Sequence, residues 1–379
     1  MSEITIKPIS SRRDISKFVK FHNDLYADCK YAVPELYFDQ HLTLSKKNAA
    51  MDFCQAQLFL AYRDGKVVGR VVAIINDKAN DTWKRKCVRF GWIDFIDDEE
   101  VSKALLDAVE QWGKERGMNE IQGPLGFTDM DPEGMLYEGH EELGTMVTIY
   151  NYHYYNDHMV RHGFEKDEDW IEYRLEIPRA TGVPDRLMKV ANLVEQRYGV
   201  KIHKFKTTRA IKAQFGRDIF KVINAGFSPL FGYSELTDRQ IDQYLQMYLD
   251  IVDPKLISTI TDKDDKLIAV GICMPSLSEA LQKCKGKLFP FGWYHILNAL
   301  KWKHPKHLEM LLIAIRPEWQ GKGVNALFFK DLLPFFISEG YEWCETSVEL
   351  EKNSKVQSQW SFFENRIHKR RRCWKKKIQ

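Results

Sequence analysis

Between the apolar run "LEMLLIAI" and the helix-like "VNALFFKDLL" the sequence reads Arg-Pro-Glu-Trp-Gln-Gly-Lys-Gly-Val-Asn, from Arg316 to Asn325. The first backbone N–H groups of a helix have no intrahelical partner, and with the positive end of the helix dipole they attract an anion. Gly321 and Gly323 remove the Cβ atoms that would hold a phosphate at a distance, and Lys322 adds positive charge. The loop is thus competent for a pyrophosphate. Neither G-x-x-x-x-G-K-[ST] nor G-x-G-x-x-G occurs anywhere in the chain, so the other common phosphate loops are excluded.

Three carboxylates flank this loop in the sequence. Glu309 opens the apolar run, and Glu345 and Glu349 lie in "YEWCETSVEL", four apart and so on one face if the segment is extended. A carboxylate that takes the proton of an ammonium, directly or through water, makes an amine nucleophilic. A solvated strand face is the plainer reading of any one of the three.

The elements that must hold these residues follow from periodicity. "LFLAYRDGKVVGRVVAIIND" is a hairpin around Asp64 and Gly65, followed by a strand at "VRFGWIDFID", a helix ending at Gly117 and a strand at "NEIQGPLGF". The second half repeats this order. It has a hairpin around Asp264 and Asp265, the strand before the glycine loop, a helix stopped by Gly340, a strand, a short helical "SKVQSQWSFFEN" and a last strand "RIHKRRRCWKKKI". The expected class is α+β, with domains at 1–180 and 181–379 and an insertion at about 277–307 rich in Leu, Ala and Trp, a helical lid or binding wall.

A long strand leading through Gln320-x-x-Gly323 and its neighbouring glycine into a helix, with a hairpin before and a strand and helix after, resembles the GNAT acyltransferase superfamily. The match rests on Gln320, Gly321, Gly323 and the flanking "LIAIRPEW"; Asn325 stands where the family has Gly or Ala. The resemblance implies two GNAT-like domains, each a mixed, mostly antiparallel sheet flanked by helices. It also implies that the second binds acetyl-CoA or another acyl-CoA through Ile315, Arg316, Gln320, Gly321, Lys322, Gly323, Val324 and Asn325. Backbone N–H groups near Ile315 and Arg316 would polarise the thioester carbonyl. In the first half the equivalent loop is "DFIDDEE", whose Asp97, Asp98, Glu99 and Glu100 repel a pyrophosphate, so that copy is degenerate. Family members commonly carry a tyrosine on the last helix as the acid for the leaving thiolate; here Trp360 and Ser361 stand there, and Tyr152, Tyr154 or Tyr155 of the first half are the substitutes considered.

The reading is an N-acyltransferase for a small-molecule or peptide amine. Its alternatives are a non-catalytic CoA or anion binder and an aminoacyl-tRNA-dependent transferase, the last suggested by the basic tail. Other chemistry is weaker. "DMDPEGMLYEGH" has Asp129, Asp131 and Glu133 at calcium-loop spacing, but Pro132 intrudes and His140 occupies the place of the bidentate glutamate; its acids suit a cationic substrate better. His158 and His162 have metal spacing without a third ligand, so no metal is expected. The net charge of +3 over 379 residues makes no case for nucleic acid. Apolar runs such as "VVAII" are too short to span a bilayer, so a cytoplasmic protein with no membrane partner is expected. Seven scattered cysteines fit reduced thiols.

Overall fold

The computed structural model describes residues 3–247, 249 and 251–378. Its first strands are β1 (Thr5–Ile9), β2 (Cys54–Arg63), β3 (Lys66–Asn76), β4 (Cys87–Phe95), β5 (Glu120–Gly123), β6 (Met135–Glu138) and β7 (Glu165–Glu176). The later ones are β8 (Lys201–His203), β9 (Ile257–Thr261), β10 (Leu267–Pro275), β11 (His307–Ile315), β12 (Trp343–Thr346), β13 (Glu349–Leu350) and β14 (Asn365–Lys377). Two compact units emerge, and they do not follow the expected cut at 180. Unit 1 comprises Met1–Trp170, Leu277–Ile296 and Lys369–Gln379; unit 2 comprises Ile171–Ser276 and Leu297–His368. The cut fails because each unit takes its closing strand from elsewhere in the sequence.

In unit 1 the strand order is β1-β2-β3-β4-β5-β14, with β4 and β5 parallel and the other neighbours antiparallel. The β2–β3 turn is the Asp-Gly hairpin foreseen, with both Asp64 and Gly65 at positive φ as a type I′ turn requires. The Glu99–Lys114 helix buries Val101, Leu105, Val109 and Trp112 on one stripe against this sheet. Residues 374–377 of β14 pair with β5, placing Trp374 in the same core as Phe90 and Leu105. The middle of β14, from His368 to Trp374, is buried or half-buried on both faces, which is why its sequence has no clean apolar side. Its cations are matched within the unit: Arg372 donates twice to Asp169 (2.9 and 3.0 Å), Lys375 faces Asp167 (3.1 Å), Lys377 bonds Glu120 (2.9 Å) and Lys369 donates to the Leu143 carbonyl (2.7 Å). The basic tail is the last strand of the sheet, as its sequence suggested, with these cations engaged by carboxylates and a carbonyl of the same unit.

In unit 2 the order is β8-β9-β10-β11-β12-β7, with β11 and β12 parallel. Its core gathers Ile260, Ile268, Leu308, Leu327, Phe328, Phe336 and Trp360. The Thr208–Phe227 helix, capped by Thr207, covers one part of the sheet; the Asp185–Tyr198 helix lies along the Asn325–Ser338 helix, where Lys330 binds Asn192 (2.8 Å) and Glu195 (2.5 Å). The insertion is helical at Ser278–Cys284 and again from Gly292, as expected. All seven cysteines are free, six of them buried. Among the described residues no helix is long and apolar enough to cross a membrane.

Candidate functional site

The register of β11 sets the geometry of unit 2. Residues 307–310 pair with 343–346 of β12, and Ser347 donates to the Met310 carbonyl. Leu311 is then an extra residue relative to β10, a bulge at the point where the pairing with β12 ends. From Leu311 to Ile315 the β11 edge is no longer paired with β12. Arg316 N–H donates to Ile268 O (2.9 Å), which makes that pair hydrogen-bonded; by antiparallel alternation the N–H groups of Ile313 and Ile315 point away from β10, toward the unpaired edge. Arg316 is therefore not a carbonyl-polarising donor, because both its N–H and its Nε (to Leu267 O, 2.8 Å) are spent on β10. Ile315 packs close to Gly226, whose added Cβ would lie 3.0 Å from the Ile315 carbonyl, so Ile313 presents the more open donor.

Past the strand, the glycine loop takes the shape its sequence suggested. Gly321 and Gly323 have φ of 72° and 81°, the left-handed region that costs other residues about 1 kcal/mol or more. Among the described residues the N–H groups of Gly321 to Asn325 donate to no backbone carbonyl, whereas those of Ala326 and Leu327 turn back to Gly323 and Val324. Nothing lies within 4 Å of a Cβ built on Gly321; one on Gly323 would press on Val194 (3.1 Å) and Val190 (3.3 Å). The two glycines thus do different work, one leaving room for a ligand and one admitting a helix. Lys322 sits over the rings of Trp319 and Tyr198, and the Gln320 side chain ties the loop to Ile315 O (3.0 Å). Asn325 Nδ2 reaches Gln359 Oε1 at 3.4 Å, so the residue that departs from the family pattern links the loop to the segment before β14.

That segment carries the site onward. Trp360, next to Gln359, donates its indole N–H to both oxygens of Glu349 (3.0 and 3.1 Å). Burial raises the Glu349 carboxyl to a pKa of about 8, against the opposing pull of bonds from Trp360 and Thr346. Glu349 and the glycine loop are thus joined through two consecutive residues. Glu345 does not share its face, because the strand breaks at Ser347 and Val348. Glu345 pairs in register with Glu309, both are buried, and His368 Nε2 lies 3.2 Å from Glu345. The solvated-face reading fails for both, and they form a buried carboxylate and imidazole cluster separate from Glu349.

The substitutes for the missing tyrosine belong to unit 1 and are engaged there: Tyr152 with Leu25 O, Tyr154 with Phe95 O, and Tyr155 with Asp94. Sequence reasoning missed Tyr173 of β7. Its N–H donates to Thr346 Oγ1 (3.0 Å), its ring lies 6.3 Å from Trp360, and its hydroxyl is raised first by burial and then by the charge of Glu349. The alternation of "DWIEYRLEI" showed a strand, but nothing local showed which carboxylate it would meet.

The corresponding helix start of unit 1 is built differently. Asp98 caps its own helix by accepting from Glu100 N (3.0 Å) and Val101 N (3.3 Å), and Arg63 neutralises it at 2.6 Å, so the helix end already holds a carboxylate. His158 and His162 both bond Ser102 (2.7 Å each). Burial raises Asp129 to about 7 and Asp131 to about 6, and Glu133 well above its usual value. Unit 1 does hold a cavity of about 90 Å³, bordered by His22, Glu35, Arg70, Trp92, Asp94 and Tyr155. Arg70, almost wholly buried, donates to Glu35 (2.7 and 2.8 Å) and Asp94 (2.7 Å). Burial alone would raise Asp94, but Arg70 and His22 outweigh it and hold the carboxyl low. Arg70→Met takes the guanidinium away from the buried Asp94 and the part-buried Glu35 and is expected to destabilise unit 1 by about 3–5 kcal/mol, read from its urea transition.

No family model matches the chain. It is 26% identical over 377 residues to Protein YghO of Escherichia coli strain K12, covering 98% of this chain and 95% of that one. It is 24% identical over 367 residues to the bacterial ceramide synthase of Caulobacter vibrioides, covering 94% and 92%. Among solved structures it aligns with a tandem GNAT protein from the clavulanic acid biosynthesis pathway (TM-score 0.57, 12% identity, 100% of this chain and 99% of that one). It also aligns with a GCN5-related N-acetyltransferase from Sphaerobacter thermophilus (TM-score 0.54, 10% identity, 99% and 96%). With β11 parting from β12, a glycine loop in one unit and a self-capped helix in the other, the chain has the tandem GNAT fold.

Proposed function

We propose that this protein is an acyl-CoA-dependent N-acyltransferase whose donor binds in unit 2. The observation that carries this reading is the row of five N–H groups from Gly321 to Asn325, lying just beyond the open β11 edge. The residues fit the donor: Gly321 leaves space for a pyrophosphate, and Ile313 offers a strand-edge N–H of the kind that orients an acyl carbonyl. The donor, when bound, supplies an activated acyl thioester. In this reading Glu349, as carboxylate, takes the proton of the acceptor ammonium, and Tyr173, whose ring lies 6.3 Å from Trp360, returns a proton to the departing sulfur. The name of the Caulobacter relative supports an acceptor of the long-chain amino-alcohol class, since ceramide is the amide of such a base. The internal pairing of the basic tail removes the reason for an aminoacyl-tRNA donor.

Calorimetry with acetyl-CoA and with longer acyl-CoAs tests the loop. Gly321→Trp fills the open space and is expected to weaken binding at least about a hundredfold, while a local left-handed strain of about 1–2 kcal/mol leaves the unit folded. A wild type that binds no CoA ester overturns the reading. Binding without thiol release in the presence of amines identifies a non-catalytic binder instead.

A further inference from the structure

From Leu281 to Leu308 the chain contains no Asp or Glu and six lysines, at 283, 285, 287, 301, 303 and 306, every one of them exposed. Within unit 1 this segment carries Phe289 at 81% exposure and Phe291 at 75%, with Trp293 and Tyr294 about half exposed. Large aromatic rings left in water are normally drawn into a core, and here the loop's own bonds prevent it. Lys287 N–H bonds Cys284 O (2.9 Å), Trp293 N–H bonds Leu288 O (2.8 Å), Tyr294 N–H bonds Phe291 O (3.1 Å) and the Trp293 indole bonds Pro290 O (3.0 Å). Gly292 has no room for a side chain, since a Cβ would fall 1.8 Å from Lys287 O. The base is fixed equally well: Gln282 donates to Lys30 O and Ala32 O (2.9 Å each), and Gly286 O accepts from Tyr37 N (3.1 Å).

We propose that this loop docks the protein on an anionic phospholipid surface, which revises the expectation of no membrane partner. The order of chemistry along it decides the occupant. Phe289, Pro290 and Phe291 form an apolar tip, Trp293 and Tyr294 are amphipathic rings, and Lys283, Lys285 and Lys287 sit on the stem. That sequence of layers matches hydrocarbon, interface and phosphate in a bilayer. A second copy meeting the same face would bring the lysines together, and a nucleic acid calls for charges interleaved with the rings. The anchoring loop from Lys30 to Tyr37 also supplies Val33, Pro34, Glu35 and Leu36 to the wall of the unit 1 cavity, so docking bears on the rim of that cavity.

The test is co-sedimentation of the full chain with vesicles of equal parts phosphatidylglycerol and phosphatidylcholine, and with phosphatidylcholine alone. Binding to the anionic vesicles, weakened by salt and at least about tenfold weaker on the neutral ones, is the expected result. Phe289→Ser with Phe291→Ser, and separately Lys285→Glu with Lys287→Glu, each lower it at least about tenfold without moving the melting temperature, whereas Phe38→Ser, another exposed ring, binds like the wild type. Absence of binding to anionic vesicles, double variants that bind unchanged, retention only by a single-stranded oligonucleotide, or a dimer dissolved by the phenylalanine pair overturns the proposal. Acyl transfer to a short soluble amine is unaffected by these variants, so docking and chemistry fail separately.

Discussion

A chain ending at Arg366 does not fold unit 1, and neither does the fragment 1–180. Both lack the Lys369–Lys377 part of β14, which pairs with β5 and β6 and buries Lys369, Arg371, Cys373 and Trp374. Removing a buried tryptophan alone costs about 3–5 kcal/mol, and here a strand ladder goes with it. Asp169, which receives Arg372, and Asp167, which faces Lys375, would also lose a charge partner. Against a total stability of about 5–15 kcal/mol, the sum leaves no native state. The expected outcome is insoluble or molten material with no cooperative transition by circular dichroism, partly rescued by a synthetic peptide of residues 365–378. A sharp melt from the fragment 1–180 alone would show that the exchanged strand is dispensable.

Glu349→Gln is expected to lower kcat by about 10²–10⁴, the range for loss of a positioned base. With a pKa of about 8 the wild-type group gains its base form as pH rises, so the rate should climb through pH 8 and level off above it. The glutamine variant loses that rise, and thiol release followed from pH 6 to 9.5 shows it. Stability moves the other way. A carboxyl whose folded-state pKa exceeds its unfolded value contributes stability that is complete in acid and fades as pH rises towards about 8. The variant should therefore melt above the wild type at pH 9 while being less active. Glu309→Gln and Glu345→Gln, in the buried cluster with His368, should alter stability without removing the rise through pH 8; a profile flattened by Glu345→Gln instead would move the base to that cluster.

The parts of this protein that were legible in its sequence are those set by near neighbours. The Asp64-Gly65 hairpin and the acidic helix cap at Asp98 satisfy their backbone within a few residues, and the glycine loop is set by its own two left-handed glycines, so composition reveals all three. The site was legible in its loop and only partly in its acids. Glu309, Glu345 and Glu349 looked alike on paper, and what separates them is the bulge at Leu311, the break at Ser347 and an indole eleven residues downstream of Glu349. Tyr173 was invisible because its partner lies at the other end of unit 2 in the sequence. The tail was legible as a strand but its charge partners were not, for the same reason: Asp167, Asp169, Glu110 and Glu120, which face its cations, are all more than 200 residues upstream of them.

The place of β14 also sets a clock. Unit 1 has made its sequence-local part by Trp170, but Lys377 is synthesised 207 residues later, the difference between those two positions. At about 5–20 residues per second, roughly 10–40 s pass in which β5 is an open sheet edge on a nascent chain. Yield in cells should then depend on how well that edge is shielded during translation, and chaperone supply or slower growth should matter more to this protein than the stability of its finished fold.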